Sequence, residues 1–394
     1  MLWAILLLAL APVARGETSA RPNVDEDPGG APYVAGELLV LYEPGTSEKA
    51  EQAVVRGSGG RTAQDLPRKA RLVSFPNIER RDSGKARQRA LQRELRELRN
   101  EPRVEAVDYN YIRRASFVPD DPRFGVQWGL KKTAFPGAWN DARGTGTKIA
   151  IVDSGIDQSH PDIGKIAAQK DFVNGDTVAN DPYGHGTHVA GIAAALTNNG
   201  RGVAGGCPAC RLLIARVLDS GGDTTDADAV AGIRWSVNNG ADVVNLSFGG
   251  GGRSAVLEAA VDDAYANGAV VVAAAGNQGS NVPQYPAAYP AAIAVSATNA
   301  NDAIAGFSSR GDWVDLSAPG TNIVSTFDGG GYGEESGTSE SAPFVSALAG
   351  LLASQGKMAG QIRLRMQSTA TDLGPDGDDP KYGHGRIDAA RAVP

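Results

Sequence analysis

The chain has 394 residues, a formal net charge of −7 and 42% hydrophobic residues. That length supports a large buried core, and that composition excludes an intrinsically disordered chain. The acidic balance sets nucleic acid aside as a partner.

Residues 2–13 form an apolar run, too short and too near the terminus for a transmembrane helix. Ala14-Arg15-Gly16 follows with the small-x-small pattern of a signal-peptidase site. Residues 1–16 therefore read as a secretory signal peptide, although no Lys or Arg precedes the apolar run. No other stretch is long and apolar enough to form a membrane-spanning helix. A secreted, soluble, monomeric protein is expected, and passage through a periplasm is compatible with it.

Residues 17–30, polar and rich in Pro, Gly and acids, read as a linker. After them, PYVAGELLVLYEPG predicts a strand and turn, and SEKAEQAVVRGSGG a short helix ended by Gly. ARLVSFP predicts a strand. KARQRALQRELRELRN predicts a helix with Leu91, Leu95 and Leu98 as a narrow apolar stripe, and VEAVDYNYIRR a closing strand. The order β-α-β-α-β predicts a small mixed unit. Its arginines read as a solvated helix face.

From Pro119 onward the texture changes. Short apolar runs (KIAIVDSG, LLIARVLD, ADVVNLSFGG, AVVVAAAGN, AAIAVSATN) alternate with helical ones such as HVAGIAAAL, DAVAGIRWSVNNG and AVLEAAVDDAYANG. Fully apolar strands separated by helices predict a parallel sheet covered on both faces. The segment 17–117 carries 18 basic and 16 acidic residues, against 19 and 29 in residues 118–394. A mildly basic piece and an acidic one are compatible for docking. Cys207 and Cys210 form a C-x-x-C pair, open to a redox, zinc or disulfide reading. With no second cysteine pair and an exported chain, a local disulfide is favoured.

Ligands on such sheets sit beyond the carboxyl ends of the strands. KIAIV runs into Asp153, AVVVAAAG into Asn277, and His185 stands at the mouth of a helix between Gly184 and Gly186. Ser339 precedes an apolar helix with Pro343 in its first turn, where proline is tolerated. Taken alone, Ser339 is an ordinary residue for a helix start. Taken together, the four residues match what acyl transfer needs. A serine hydroxyl becomes a nucleophile when a base takes its proton, His does this near neutral pH, and a buried Asp fixes its tautomer. An Asn amide and a backbone N–H can meet the oxyanion.

The motifs IVDSGID, GHGTHVAG, AAAGN and GTSESAP stand in the order Asp, His, Asn, Ser. In this the chain resembles the subtilisin family of serine peptidases, nearest its thermitase-like branch, from residue 119 to residue 393. The resemblance implies an α/β catalytic domain over 118–394, a parallel sheet with helices on both faces. It implies that 17–117 is a small α+β, ferredoxin-like propeptide that inhibits its own enzyme and is removed by autoprocessing between 111 and 118. It assigns Asp153 to orient His185, His185 as general base then acid, and Ser339 as the nucleophile forming an acyl-enzyme. Asn277 and the Ser339 amide would form the oxyanion hole. Protein or peptide substrates would lie as an added strand against Gly222, Asp223 and Ser247-Phe248-Gly249, with Gln284 at the pocket base. A neutral Gln284 argues against a strict demand for Lys or Arg.

The loop ALTNNGRGVAG resembles the family's calcium loop. Asn199, the carbonyls of Leu196, Arg201 and Val203, and the carboxylates of Asp121 and Asp162 would bind Ca²⁺, an oxygen-seeking ion. Catalysis itself needs no cofactor. His188, His160 and Asp157 read as structural residues. Two positions depart from the pattern: Glu340 stands where subtilisins commonly carry Met, and Ser341 replaces Ala. A carboxylate at position 340 would favour the charged form of His185 and move activity to higher pH. It also leaves room for a second reading, a pseudoenzyme that binds without turnover. A narrow processing peptidase is a third.

Overall fold

The computed structural model describes residues 23–27, 32–81, 83–113 and 117–393. The expected signal peptide and residues 114–116 of the expected maturation region lie outside the described residues. The chain divides into two compact units, residues 1–114 and 115–394. No helix among the described residues is long and apolar enough to cross a membrane.

The first unit is an antiparallel sheet of β1 (Val24–Glu26), β2 (Pro32–Tyr42), β3 (Arg61–Leu66), β4 (Ala70–Ser74) and β5 (Val104–Tyr111). β2 is the hub, pairing with β1, β4 and β5, while β3 lies outside β4. The two longer helices that accompany it are α1 (Glu48–Gly57) and α2 (Gly84–Arg99). Leu91, Leu95 and Leu98 are buried in one cluster with Leu38, Val40 and Val107, as their spacing predicts. The linker expectation for 17–30 needs correction. Val24–Glu26 is a strand on β2, and Asp25 ties it to α2 through Arg87, with contacts of 2.8 and 3.1 Å.

The second unit holds seven parallel strands. These are β6 (Lys148–Asp153), β7 (Ile166–Asp171), β8 (Arg211–Arg216), β9 (Val243–Leu246), β10 (Val270–Ala274), β11 (Ala292–Thr298) and β12 (Leu316–Pro319), in the order β12-β11-β10-β9-β6-β8-β7. Alternate side chains feed opposite cores, as a period of two requires. Ile149 and Ile151 pack on one face with Val189 of α3 (His185–Ala194) and Leu348. Ala150 and Val152 pack on the other with Ile233 of α4 (Asp226–Asn238) and Val261 of α5 (Ala255–Ala266). A hairpin of β13 (Ile323–Phe327) and β14 (Gly331–Glu335) follows, then α6 (Thr338–Ala353) and α7 (Ala359–Thr369). Cys207 and Cys210 form the buried disulfide that the sequence favours.

The sheet runs outward from β6 in two directions, so β6 marks its topological switch. A crevice opens at such a point beyond the carboxyl ends of the strands. Asp153 is the last residue of β6.

Candidate active site

Asp153 is fully buried, and its Oδ1 accepts the Ser154 amide and the His185 Nδ1–H, both at 2.7 Å. Its Oδ2 has no hydrogen-bond partner among the described residues. This contact makes Nδ1 the donor and leaves Nε2 facing away from Asp153.

The start of α3 is held from below. Asp181 accepts the Gly184 and Thr187 amides at 2.7 and 2.8 Å, the free donors that a helix start presents. Ser154 donates its hydroxyl to Asp181 at 2.8 Å and accepts the Gly186 amide at 2.9 Å. The helix sits close against the strand end, and a Cβ at Gly186 would lie 2.3 Å from the Gly155 carbonyl. Glycine there is a condition of the approach.

Ser339 is the second residue of α6. Its hydroxyl donates to the Ser247 carbonyl at 2.9 Å, and the Ser247 hydroxyl donates back to the Ser339 carbonyl at 2.9 Å. Asn245 supports Ser247 at 2.9 Å. Asn277 Oδ1 accepts both the amide and the hydroxyl of Thr338 at 2.9 Å. That orients the side chain and leaves Nδ2 as the available donor. Ser341 is buried and donates to Ala318 and Pro319 carbonyls at 3.1 and 3.2 Å, so its hydroxyl is a packing element.

His185, Asn277 and Ser339 line one cleft of about 620 Å³, with Gly222, Ser247, Phe248 and Gly249 along its walls. Asp223 lines an adjoining hollow of about 320 Å³ that shares Gly222, Phe248 and Gly249. Gln284 is buried against Gly276 and Gly249, two residues of the cleft wall, but does not itself line the cleft, and its Nε2 donates to the Val282 carbonyl at 3.2 Å. His160 is spent on local structure, donating from Nε2 to the Gly331 carbonyl at 2.7 Å and accepting the Asp162 amide at Nδ1. Asp157 accepts Ser159 and Gly330 amides.

Two carboxylates line the same cleft: Glu340, which the sequence places beside the proposed nucleophile, and Glu335, which no motif marks. Glu340 is 3% exposed, with Oε1 3.9 Å from His185 Nε2. Glu335, the last residue of β14, lies within hydrogen-bond reach of it. Burial and the Glu335 charge push the Glu340 carboxyl up, against the opposing pull of His185. Burial lowers His185, yet the Asp153 charge and hydrogen bond, with Glu340 and Glu335, outweigh it and raise the imidazole above its ordinary range. His188 shows the reverse: burial and the His185 charge push it down to about 4.

The loop around 196–203 brings its six expected groups into one neighbourhood. Asp121 Oδ2 accepts the Asn198 amide at 2.7 Å, and Asp162 accepts the Asn199 side chain and the Val203 amide at 2.7 and 2.8 Å. Both carboxylates are buried, and burial and Asp162 push Asp121 up. Neither pairs with Lys or Arg among the described residues. The carbonyls of Leu196, Arg201 and Val203 accept no hydrogen bond among the described residues. Buried like charges beside free carbonyls are a donor set suited to a hard dication.

Comparison with known proteins agrees with this geometry. Residues 144–385 match the model of the Subtilase family. A thermophilic serine proteinase of Bacillus sp. (strain AK1) is 40% identical over 96% of this chain and 91% of its own. Thermitase of Thermoactinomyces vulgaris is 45% identical over 70% of this chain and 99% of its own. Among solved structures, a protease from Pseudoalteromonas arctica superposes with a TM-score of 0.66 at 31% identity, over 70% of this chain and 99% of that one. The chain belongs to the subtilase family and is a serine-type endopeptidase.

Proposed function

We propose that the chain is a secreted, autoprocessed zymogen that cleaves proteins through an acyl-enzyme. Residues 1–16 direct export, 17–117 are an inhibitory propeptide, and 118–394 are the peptidase. The observation that carries the catalytic reading is the 2.7 Å hydrogen bond from His185 to buried Asp153 in a cleft that also holds Ser339 and Asn277. Rotation about the Ser339 Cα–Cβ bond turns its hydroxyl from the Ser247 carbonyl toward His185 Nε2. His185 takes the proton as Oγ bonds to the scissile carbonyl carbon, and Asp153 stabilises the imidazolium. Asn277 Nδ2 and the Ser339 amide receive the oxyanion. His185 then returns the proton to the leaving amine as the C–N bond breaks, and water repeats the sequence to free the enzyme.

Gly222, Asp223, Ser247, Phe248 and Gly249 hold the extended substrate. The neutral Gln284, packed against the cleft wall at Gly276, supports a broad preference at the cleaved residue. Asp121, Asp162, Asn199 and the carbonyls of Leu196, Arg201 and Val203 are the ligands of a structural Ca²⁺, which would neutralise the two buried carboxylates and tie residue 121 to the loop.

The test is secretion of wild type beside Ser339→Ala, read by mass spectrometry. Wild type is expected to lose residues 17–117 and Ser339→Ala to retain them. Loss of the segment from both would assign maturation to another protease. Failure of a fluorophosphonate to label wild-type Ser339 would overturn the nucleophile assignment and favour the pseudoenzyme.

A further inference from the structure

Four side chains converge behind Ser339 and present ring nitrogens and carboxylate oxygens to one another. His185 Nε2 and carboxylate oxygens of Glu335 and Glu340 all lie within 4.8 Å of one another. His188 is fully buried, and its Nε2–H donates to the Ile323 carbonyl at 3.0 Å. That leaves Nδ1 as an acceptor, and it has no hydrogen-bond partner among the described residues. It points at the same carboxylates, 3.8 Å from Glu335 Oε2 and 3.8 Å from Glu340 Oε1. Acceptors facing acceptors in a buried place call for something electropositive among them, either protons or a cation.

We propose that His185 Nε2 and one oxygen each of Glu335 and Glu340 form an inhibitory site for a divalent transition ion, with zinc the type case. Imidazole nitrogen with two carboxylates is a common zinc donor set, and nitrogen selects against calcium. The outer partners suit it too. A metal-bound imidazole works best when its other nitrogen donates to a carboxylate, as His185 Nδ1 does to Asp153 at 2.7 Å. Glu340 is fixed at the start of α6. The hairpin that bears Glu335 is anchored to α3 by Ser325 on the His188 carbonyl and Thr326 on the Thr187 carbonyl, both 2.7 Å. All three ligands are thus carried by elements packed on one another. His188 stands behind the carboxylates as a further lone pair.

A metal ion on Nε2 occupies the lone pair that would take the Ser339 proton, so the loaded enzyme is silent and chelation restores it. This inhibitory consequence rests on His185 being the general base, whereas the binding site itself does not.

The experiment uses the secreted wild-type protein in calcium-saturated buffer with two probes. Co²⁺ is followed by its visible absorption, which reports nitrogen–oxygen coordination without turnover. Zn²⁺ is followed by peptide hydrolysis, with reversal by a chelator selective for zinc over calcium. Visible bands at one Co²⁺ per chain and reversible zinc inhibition are expected. Both should weaken about tenfold or more in Glu340→Gln and in Glu335→Gln. Glu335 is at the partly exposed end of a hairpin, so its variant guards against a folding defect at buried Glu340. Absence of Co²⁺ bands in wild type would overturn the site and leave protons as what the acceptors share. So would bands and inhibition that persist unchanged in both variants. Bands without zinc inhibition would retain the site but remove its inhibitory role and question His185 as the base.

Discussion

The two units bury their strands differently. In the first, β2 alternates between buried and half-exposed residues along most of its length. In the second, β10 and β11 are buried at every position. The first sheet therefore has one core, and the second has one on each face. A one-sided core of this size is close to the limit of independent stability, whereas a two-sided one has a wide margin. A parallel sheet, however, joins strands distant in sequence, and it folds slowly for that reason. The unit with the larger core is thus the one whose topology slows its folding. Under the proposed function, the first unit would be needed while the second folds and dispensable afterwards.

Substitutions in each unit should separate making the enzyme from running it. Asn277→Ala should have the largest effect, about 10²–10³ in kcat with KM nearly unchanged, the loss known for removal of this type of donor in subtilisin. Steady-state kinetics on active-site-titrated protein will check it, and an unchanged kcat would remove Asn277 from the oxyanion hole. Leu95→Ala opens a cavity in the first unit, where Leu95 is 3% exposed. It should destabilise that unit by about 2–5 kcal/mol and lower the yield of mature enzyme, while kcat per titrated site stays the same. A changed kcat would mean that the first unit is still present in the working enzyme.

The smallest effect is on pH. Glu340 raises His185, and the proposed base must be neutral to work, so activity should grow as pH rises through the pKa of His185. Glu340→Gln removes a charge that favours imidazolium. In zinc-free buffer it should move the acid limb of the pH–rate profile to lower pH by about one unit or less. An unmoved limb would mean that Glu340 holds a proton throughout the working range.

The sequence displayed some of this and hid the rest, for physical reasons. Asp153, His185, Asn277 and Ser339 stand at strand ends or helix starts, where function concentrates in a parallel sheet, and each lies in a motif. β3 was not legible because Arg61–Leu66 has no buried alternate face, and all but its last residue are exposed. β7 is an edge strand whose residues are mostly half-buried, without the apolar run of its neighbours. Asp181 offered a signal that can be read: an acid just before GHGTH, placed to receive the amides of a helix start. Glu335 offered none, because it joins the site only through the folding back of a glycine-rich hairpin. The hydroxyl direction of Ser339 was equally hidden, since it depends on a carbonyl 92 residues away.

α6 has one more consequence. From Thr338 to Leu352 every residue except Ser339 is buried. A helix enclosed on all sides cannot fray by itself, so its amides should exchange with solvent only when the whole unit opens. The proposed nucleophile is then anchored to the most slowly opening part of the molecule. Digestion needs a segment that can be drawn out as an extended strand, and this one cannot be drawn out while the protein is folded. A protease built in this way survives among its own copies, and its working life is set by its rate of global unfolding.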